Sequence, residues 1–266
     1  MRRAMNADRT MPVALTVAGS DSGGGAGIQA DLKTFHALGV FGASVITALT
    51  AQNPSRIIAV QPATPRIVTE QLDAVFEAFE VAAVKTGMLY NTEIIHAVSV
   101  TLRKRHFVRL VVDPVMVATS GSTLLEKNAV GALERELFPL ALLITPNLIE
   151  AERLCRRRIS SLETARAAGE ILAAKYRVNV LIKGGHLPGK HRAVDVLCAG
   201  GKLREFDAPR VPRLRVHGAG CAFSAAITAN LALGYDLIDS ISRAKKFITA
   251  ALRSSTRIGK FDVLRI

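Results

Sequence analysis

Short apolar runs alternate with helix-patterned segments along nearly the whole chain, and no other feature restricts its fold as much. Residues 13–18, 43–49, 57–61, 81–85, 110–113, 141–145 and 178–183 are short, mostly apolar runs that read as strands. Residues 28–38, 65–79, 91–105 and 127–138 carry a helical period; in the first, Ile28, Leu32, Phe35 and Leu38 share one side. Ser160-Ser161-Leu162-Glu163 has capping-box spacing and opens a helix to about residue 176. Strands alternating with helices predict an α/β fold with a mostly parallel central sheet and helices on both faces. Residues 194–198 and 203–206, joined across Gly200-Gly201, predict a small antiparallel edge hairpin. Two helices follow, the second over residues 237–253. No repeat or flexible linker interrupts the pattern. One domain over residues 1–266 is expected, with residues 1–11 as a flexible N-terminal extension.

Two glycine-rich stretches interrupt this pattern. The first, residues 19–27, holds five glycines in nine residues and follows the first strand. Asp31 lies one turn into the next helix, able to face the same pocket or to complement the helix dipole. The second is Val216-His217-Gly218-Ala219-Gly220-Cys221, which leads into a helix of small and apolar residues. Such a turn lets a ligand approach the backbone. The free N–H groups of a helical first turn, with the dipole behind them, then favour an anion. Cys221 at this position has an expected pKa below its ordinary value. A tight turn opening a core helix fits the same residues, and the motif alone leaves both readings open.

Further polar residues fall where predicted strands end: Asp113, Asn147 with Glu150, and Lys183. In open α/β sheets ligands bind outside those ends. Two carboxylates suit Mg²⁺, directly or through water, and equally suit caps or ion pairs. With a phosphate-cradling turn they point to a Mg-nucleotide enzyme. The Gly-x-x-x-x-Gly-Lys-Ser/Thr loop of Walker-type enzymes is absent from the sequence.

Seven stretches, taken in order, carry a resemblance. They are residues 18–33 from Ala18-Gly19-Ser20-Asp21, Val45 to Leu49 with Ala51-Gln52-Asn53, Lys85-Thr86-Gly87-Met88-Leu89, Val112-Asp113-Pro114-Val115-Met116, Ile144-Thr145-Pro146-Asn147 with Glu150-Ala151, Lys183-Gly184-Gly185-His186, and His217-Gly218-Ala219-Gly220-Cys221. Over residues 13 to 250 the chain resembles the hydroxymethylpyrimidine/phosphomethylpyrimidine kinases of thiamine biosynthesis, within the ribokinase-like kinases. The resemblance implies phosphorylation of a hydroxymethylpyrimidine and its monophosphate with ATP and Mg²⁺, and it implies a homodimer. Gln52 would hydrogen-bond the aminopyrimidine and Met88 and Val115 would pack against its ring. Gly19, Ala26 and Asp31 would line the rest of that pocket. Asp113 and Glu150 would hold Mg²⁺, Lys183 and Asn147 would lie on the ATP side, and Gly218, Ala219, Gly220 and Cys221 would form the anion hole. Cys221 would be the base or a shape element of that hole. Pyridoxal kinases and a non-catalytic pyrimidine sensor are the rival readings. The chain departs from the family at Ala219 and Val216, where Thr is usual, at Thr119, where Lys is common, over Pro54-Ser55-Arg56, and in its C-terminal tail.

Composition narrows the partners. Net charge is +13, but the basic residues are dispersed and there is no Trp to stack on bases. Arg103-Lys104-Arg105 and Arg156-Arg157-Arg158 fall at expected helix ends. Small anionic substrates are expected rather than nucleic acid, with Arg210, Arg213 and Arg215 near the glycine turn able to attract them. No apolar run approaches the ~18 residues of a membrane span, so no membrane partner and a cytoplasmic location are expected. Three widely spaced cysteines argue against a disulfide framework.

Overall fold

The computed structural model describes residues 10–117, 124–126, 128–188, 191–211 and 216–266. Thr119, Arg213, Arg215 and nearly all of the expected N-terminal extension lie outside the described residues.

The chain begins with β1 (Val13–Asp21), α1 (Gly27–Ala37), β2 (Phe41–Asn53), β3 (Arg56–Pro62), α2 (Pro65–Ala78) and β4 (Val81–Thr86). Then come α3 (Thr92–Lys104), β5 (Leu110–Val112), α4 (Ala129–Ala132), β6 (Leu143–Ile144), α5 (Leu148–Cys155), α6 (Leu162–Tyr176) and β7 (Asn179–Ile182). The last part holds β8 (Arg192–Ala199), β9 (Lys202–Pro209), α7 (Ala219–Ala232), α8 (Leu237–Arg253), β10 (Thr256–Ile258) and β11 (Phe261–Val263).

Nine strands form one sheet in the order β3-β2-β1-β4-β5-β6-β7-β8-β9. The strands from β2 to β7 are parallel, and β3, β8 and β9 pair antiparallel. The expected hairpin at one edge is β8–β9. A second antiparallel pair, β2–β3, occupies the other edge. Asn53 makes its turn, its Oδ1 accepting from the N–H groups of Ser55 and Arg56. The period-2 alternation of strand side chains divides the core. Leu15, Val17, Val84, Leu110, Val112, Val180 and Ile182 pack on the face covered by α2, α3, α5 and α6. Ala14, Ala83, Val111, Leu143 and Leu181 face α1, α7 and α8. Because α7 lies in the middle of that layer, every residue from Ala222 to Ala232 is buried.

Three local expectations shift. β1 runs through Gly19-Ser20-Asp21, so the open loop begins only at Ser22. The box at α6 is Ser161 with Thr164, because Ser161 rather than Ser160 takes the extended N-cap conformation. The 127–138 helix keeps α-geometry only over α4 and then widens to π-type turns at Leu133–Leu137. The C-terminal tail folds as the β10–β11 hairpin, and Leu264 and Ile266 beyond it pack against the core.

The chain leaves β1 for β2 on one side and then crosses to β4 on the other. That reversal opens a crevice outside the C-terminal ends of β1 and β4.

Candidate active site

A cavity of about 580 Å³ occupies this crevice and continues along the strand ends to α7 and α8. Gly19, Ala26, Gln52, Met88, Asp113, Val115, Asn147, Glu150, Lys183, Gly218, Ala219, Gly220 and Cys221 all line it. Residues scattered over two hundred positions therefore meet at one place.

The glycine turn forms the middle of the cavity. Gly218 has φ +82°, and a Cβ there would lie 1.7 Å from the Gly25 carbonyl oxygen, so only glycine fits. It is the N-cap of α7 and supplies no side-chain hydrogen bond to the helix. The N–H groups of the first turn are left for a ligand, which favours the anion-site reading of the motif. This turn also joins the other glycine stretch, since Gly25 would meet the His217 ring at 3.2 Å if it carried a Cβ.

One end of the cavity is apolar with a few polar groups. Met88, Ala48 and Leu124 form a small cluster with Val115 against it. Thr47 fixes the Met88 backbone by donating to its carbonyl at 2.6 Å. The Gln52 carboxamide nitrogen lies 2.9 Å from His217 Nε2, and Asp21 Oδ2 lies 3.3 Å from the same nitrogen. The Asp21 carboxylate also accepts from the N–H groups of Gly23, Gly25 and Ala26. Burial works to raise its pKa, but His217 and these donors outweigh it and hold Asp21 below its ordinary value.

The polar middle is built on ion pairs. Lys183 Nζ is 2.6 Å from Asp113 Oδ1, and the Ser224 hydroxyl donates to Asp113 Oδ2 at 2.9 Å. A Cβ on Gly220 would lie 3.5 Å from Lys183 Nζ, which puts this cation beside the glycine turn. Burial pulls Lys183 down, yet the charges of Asp113 and Glu150 hold it above its usual range. Glu150 accepts from the N–H of Asn147 at 2.8 Å, while Asn147 Oδ1 accepts from the N–H of Glu150 at 3.0 Å. These two residues are thus a capping box for α5 as well as cavity wall. Burial first, then the nearby Asp113 charge, pushes the Glu150 carboxyl up to about 7, against the opposing pull of Lys183.

Two expectations are corrected. Asp31 is not a wall residue. It is fully buried beneath the cavity, 2.8 Å from Lys85 Nζ and 2.6 Å from the Thr16 hydroxyl. Thr16 and Lys85 are register partners across β1–β4, so both point at α1, and it is Lys85 that borders the cavity. Nor is the Cys221 thiol lowered. Burial pushes it up to about 11; Lys85 pulls the other way, and Asp31 and Asp113 add to the rise. The helix N-terminus does not overcome desolvation and two carboxylates. Asp21, Lys85, His217 and Ser224 were given no role from the sequence, although all but Ser224 sit inside the quoted motifs.

The model of the phosphomethylpyrimidine kinase family matches residues 21–264. The chain belongs to that family. A hydroxymethylpyrimidine/phosphomethylpyrimidine kinase of Rhizobium meliloti is 51% identical over 248 residues, covering 92% of each chain. A thiamine biosynthesis bifunctional protein of Geobacter sulfurreducens is 49% identical, and the chain spans half of its length. Among solved structures, a phosphomethylpyrimidine kinase from Clostridium difficile is 43% identical with a TM-score of 0.80, covering 91% of this chain and 99% of that one. A Bacillus subtilis pyridoxal kinase in complex with ADP is 36% identical with a TM-score of 0.87, covering 96% and 97%. The protein is a kinase, a phosphotransferase with the ribokinase-like fold, and uses ATP. No helix among the described residues is long and apolar enough to cross a membrane.

Proposed function

We propose that the protein phosphorylates the hydroxymethyl group of 4-amino-5-hydroxymethyl-2-methylpyrimidine and then the resulting monophosphate, with MgATP as donor. The observation that carries this reading is one cavity joining the Gln52–Met88–Val115 end to the uncapped N-terminus of α7. A flat ring with an amino group suits the first: Gln52 offers a carboxamide for its polar edge, and Met88 and Val115 offer apolar contact. The hydroxymethyl group then points toward the turn. The N–H groups of Ala219, Gly220 and Cys221 would receive the transferred phosphoryl oxygens, with Lys183 beside them neutralising charge.

Transfer through a loose transition state asks little of a base. With its thiol pushed up to about 11, Cys221 keeps its proton at neutral pH. Its part in the resting enzyme is to shape the anion hole and to stand where the substrate hydroxyl loses its proton late in the reaction.

Asp113 and Glu150 fit a Mg²⁺ site. They are two crowded carboxylates, one held partly protonated by the other, beside a place where phosphate oxygens would complete the shell. Among the described residues no three His, Cys, Asp or Glu side chains cluster as a closed metal cage. That accords with Mg²⁺, which keeps waters and shares substrate phosphates. When bound, Mg²⁺ would neutralise developing phosphate charge.

The likeness to the ADP-bound pyridoxal kinase supports a second reading, phosphorylation of pyridoxal. ADP release with MgATP and, separately, the hydroxymethylpyrimidine, its monophosphate and pyridoxal decides between them. Turnover on both pyrimidines is expected. Turnover on pyridoxal alone moves the assignment, and pyrimidine binding without ADP release leaves a sensor.

A further inference from the structure

The backbone that carries Lys183 leaves the sheet at the end of β7 and is tied down at the next residue. The Gly184 N–H donates to Asp195 Oδ1 of β8 at 2.9 Å. A Cβ on Gly184 would lie 1.9 Å from the Val194 carbonyl oxygen, so the segment lies against β8 at a distance only glycine permits. Leu187 closes the turn by donating its N–H to the Gly184 carbonyl at 2.9 Å. The other oxygen of Asp195 is 2.6 Å from Lys245 Nζ of α8, and the two side chains are only 4% and 9% exposed. Both border the cavity, at the end walled by Ala193, Phe223, Ile248 and Leu252.

A buried ion pair of this kind is no better for stability than an apolar pair of the same shape. It does something an apolar pair cannot. It presents an acceptor to the Gly184 N–H while leaving no net charge in the interior. Lys245 occupies one oxygen of Asp195 and so keeps the other aimed at the turn. Lys183, one residue away, makes its 2.6 Å contact with Asp113 from that fixed position.

We propose that Asp195, neutralised by Lys245, is a positioning residue whose hydrogen bond to Gly184 sets where Lys183 stands on the nucleotide side of the cavity. This rests on the MgATP reading of the site. Neither residue acts on the substrate; both act through the Lys183 backbone.

Removing either partner alone strands a buried charge and can prevent folding, so two neutral double variants are compared. Asp195→Asn with Lys245→Gln keeps an acceptor for Gly184, and Asp195→Ala with Lys245→Met removes it. The measurements are ADP affinity by titration calorimetry, KM for MgATP, KM for the pyrimidine, and Tm as a check on folding. The Ala/Met pair is expected to weaken ADP binding and raise KM for MgATP by about tenfold or more, leaving KM for the pyrimidine within about twofold. The Asn/Gln pair is expected to stay within about threefold of wild type for ADP. Equal ADP affinity in the two doubles overturns the inference, as does an equal rise in both KM values. If the wild type binds ADP but phosphorylates no pyrimidine, the substrate reading fails, while the ADP comparison still decides the role of Asp195.

Discussion

The Gln52 carboxamide nitrogen lies 2.9 Å from His217 Nε2, which ties the end of β2 to the turn that opens α7. Asp21 stands 3.3 Å from the same ring nitrogen and is itself anchored by three backbone N–H groups. The group offered to the pyrimidine is thereby held by the loop offered to the phosphate. His217→Phe removes that restraint while leaving Gln52 in place. One lost polar contact of this kind amounts to about 1 kcal/mol, so KM for the pyrimidine should rise about fivefold to tenfold. KM for MgATP should move little. Steady-state kinetics in both substrates checks this, and an equal rise in both would make His217 a purely structural residue.

Gly218 is the position least able to change. Its φ of +82° costs an L-residue about 1–2 kcal/mol before any contact is counted. The Gly25 carbonyl 1.7 Å from a would-be Cβ adds a clash that only movement of the turn relieves. Gly218→Ala should lower Tm and reduce kcat by about 100-fold or more, because the N–H groups move off the phosphoryl oxygens. Wild-type kcat in a folded Gly218→Ala protein would remove the turn from the chemistry.

Lys85 and Asp31 have no exposed side-chain surface at all. Lys85→Met leaves the Asp31 carboxylate buried with Thr16 as its remaining partner, which should cost about 3–5 kcal/mol. Asp31→Leu combined with Lys85→Met should recover much of that loss. Urea unfolding of the single and double variants measures both. A single variant as stable as wild type would show that Asp31 takes up a proton at little cost.

The contrast between Gly218 and Lys85 shows what the sequence made legible. Gly218 announces itself locally, by glycine spacing followed by a run that helix α7 buries on every side. The strand–helix alternation is likewise local, and it yields the sheet and the line of residues at the strand ends. The Asp31–Lys85 pair spans 54 positions and exists because register sets Lys85 beside Thr16 under α1. A fully buried strand has no polar face to betray such a contact. The Asp195–Lys245 pair, 50 positions apart, is hidden for the same reason. Apolar runs also say little about where pairing stops: residues 141–145 read as a strand, but only Leu143–Ile144 pair. The Cys221 thiol shows a further limit, because a helix N-terminus is visible in sequence and the carboxylates around it are not.

Glu150, pushed up to about 7 from an ordinary 4.5, should make metal binding pH-dependent. The folded protein holds this proton more tightly than the unfolded chain. Its contribution to stability is therefore fully present below about 4.5 and is lost as pH rises through about 7. A cation bound there requires the carboxylate, so MgATP binding should release a proton and weaken as pH falls below 7. Calorimetry near pH 6.5 in buffers of different ionisation enthalpy should detect the proton, and Glu150→Gln should abolish it. Tm of wild type relative to Glu150→Gln should fall between pH 5 and pH 7.5. Identical proton release in both proteins would place the titrating group elsewhere.

Cys221 offers the sharpest division between base and scaffold. A thiol at about 11 is ionised in roughly one molecule in three thousand at pH 7.5. Alkylation of Cys221 by iodoacetamide, followed on its own peptide by mass spectrometry, should accelerate about tenfold per pH unit up to at least pH 9.5. A plateau near neutrality would instead mean a resting thiolate. The turnover of Cys221→Ala is the second half of the test. A general base contributes about 10²–10⁴-fold. If the N–H groups of the turn carry most of the stabilisation, the variant should lose only about 10- to 100-fold in kcat, with ADP affinity retained. A loss near 10⁴-fold with intact ADP binding would restore the thiol as the base. Ala219→Asp separates the two roles from the other side: a carboxylate in the anion hole should abolish ADP and ATP binding while Cys221 is still present.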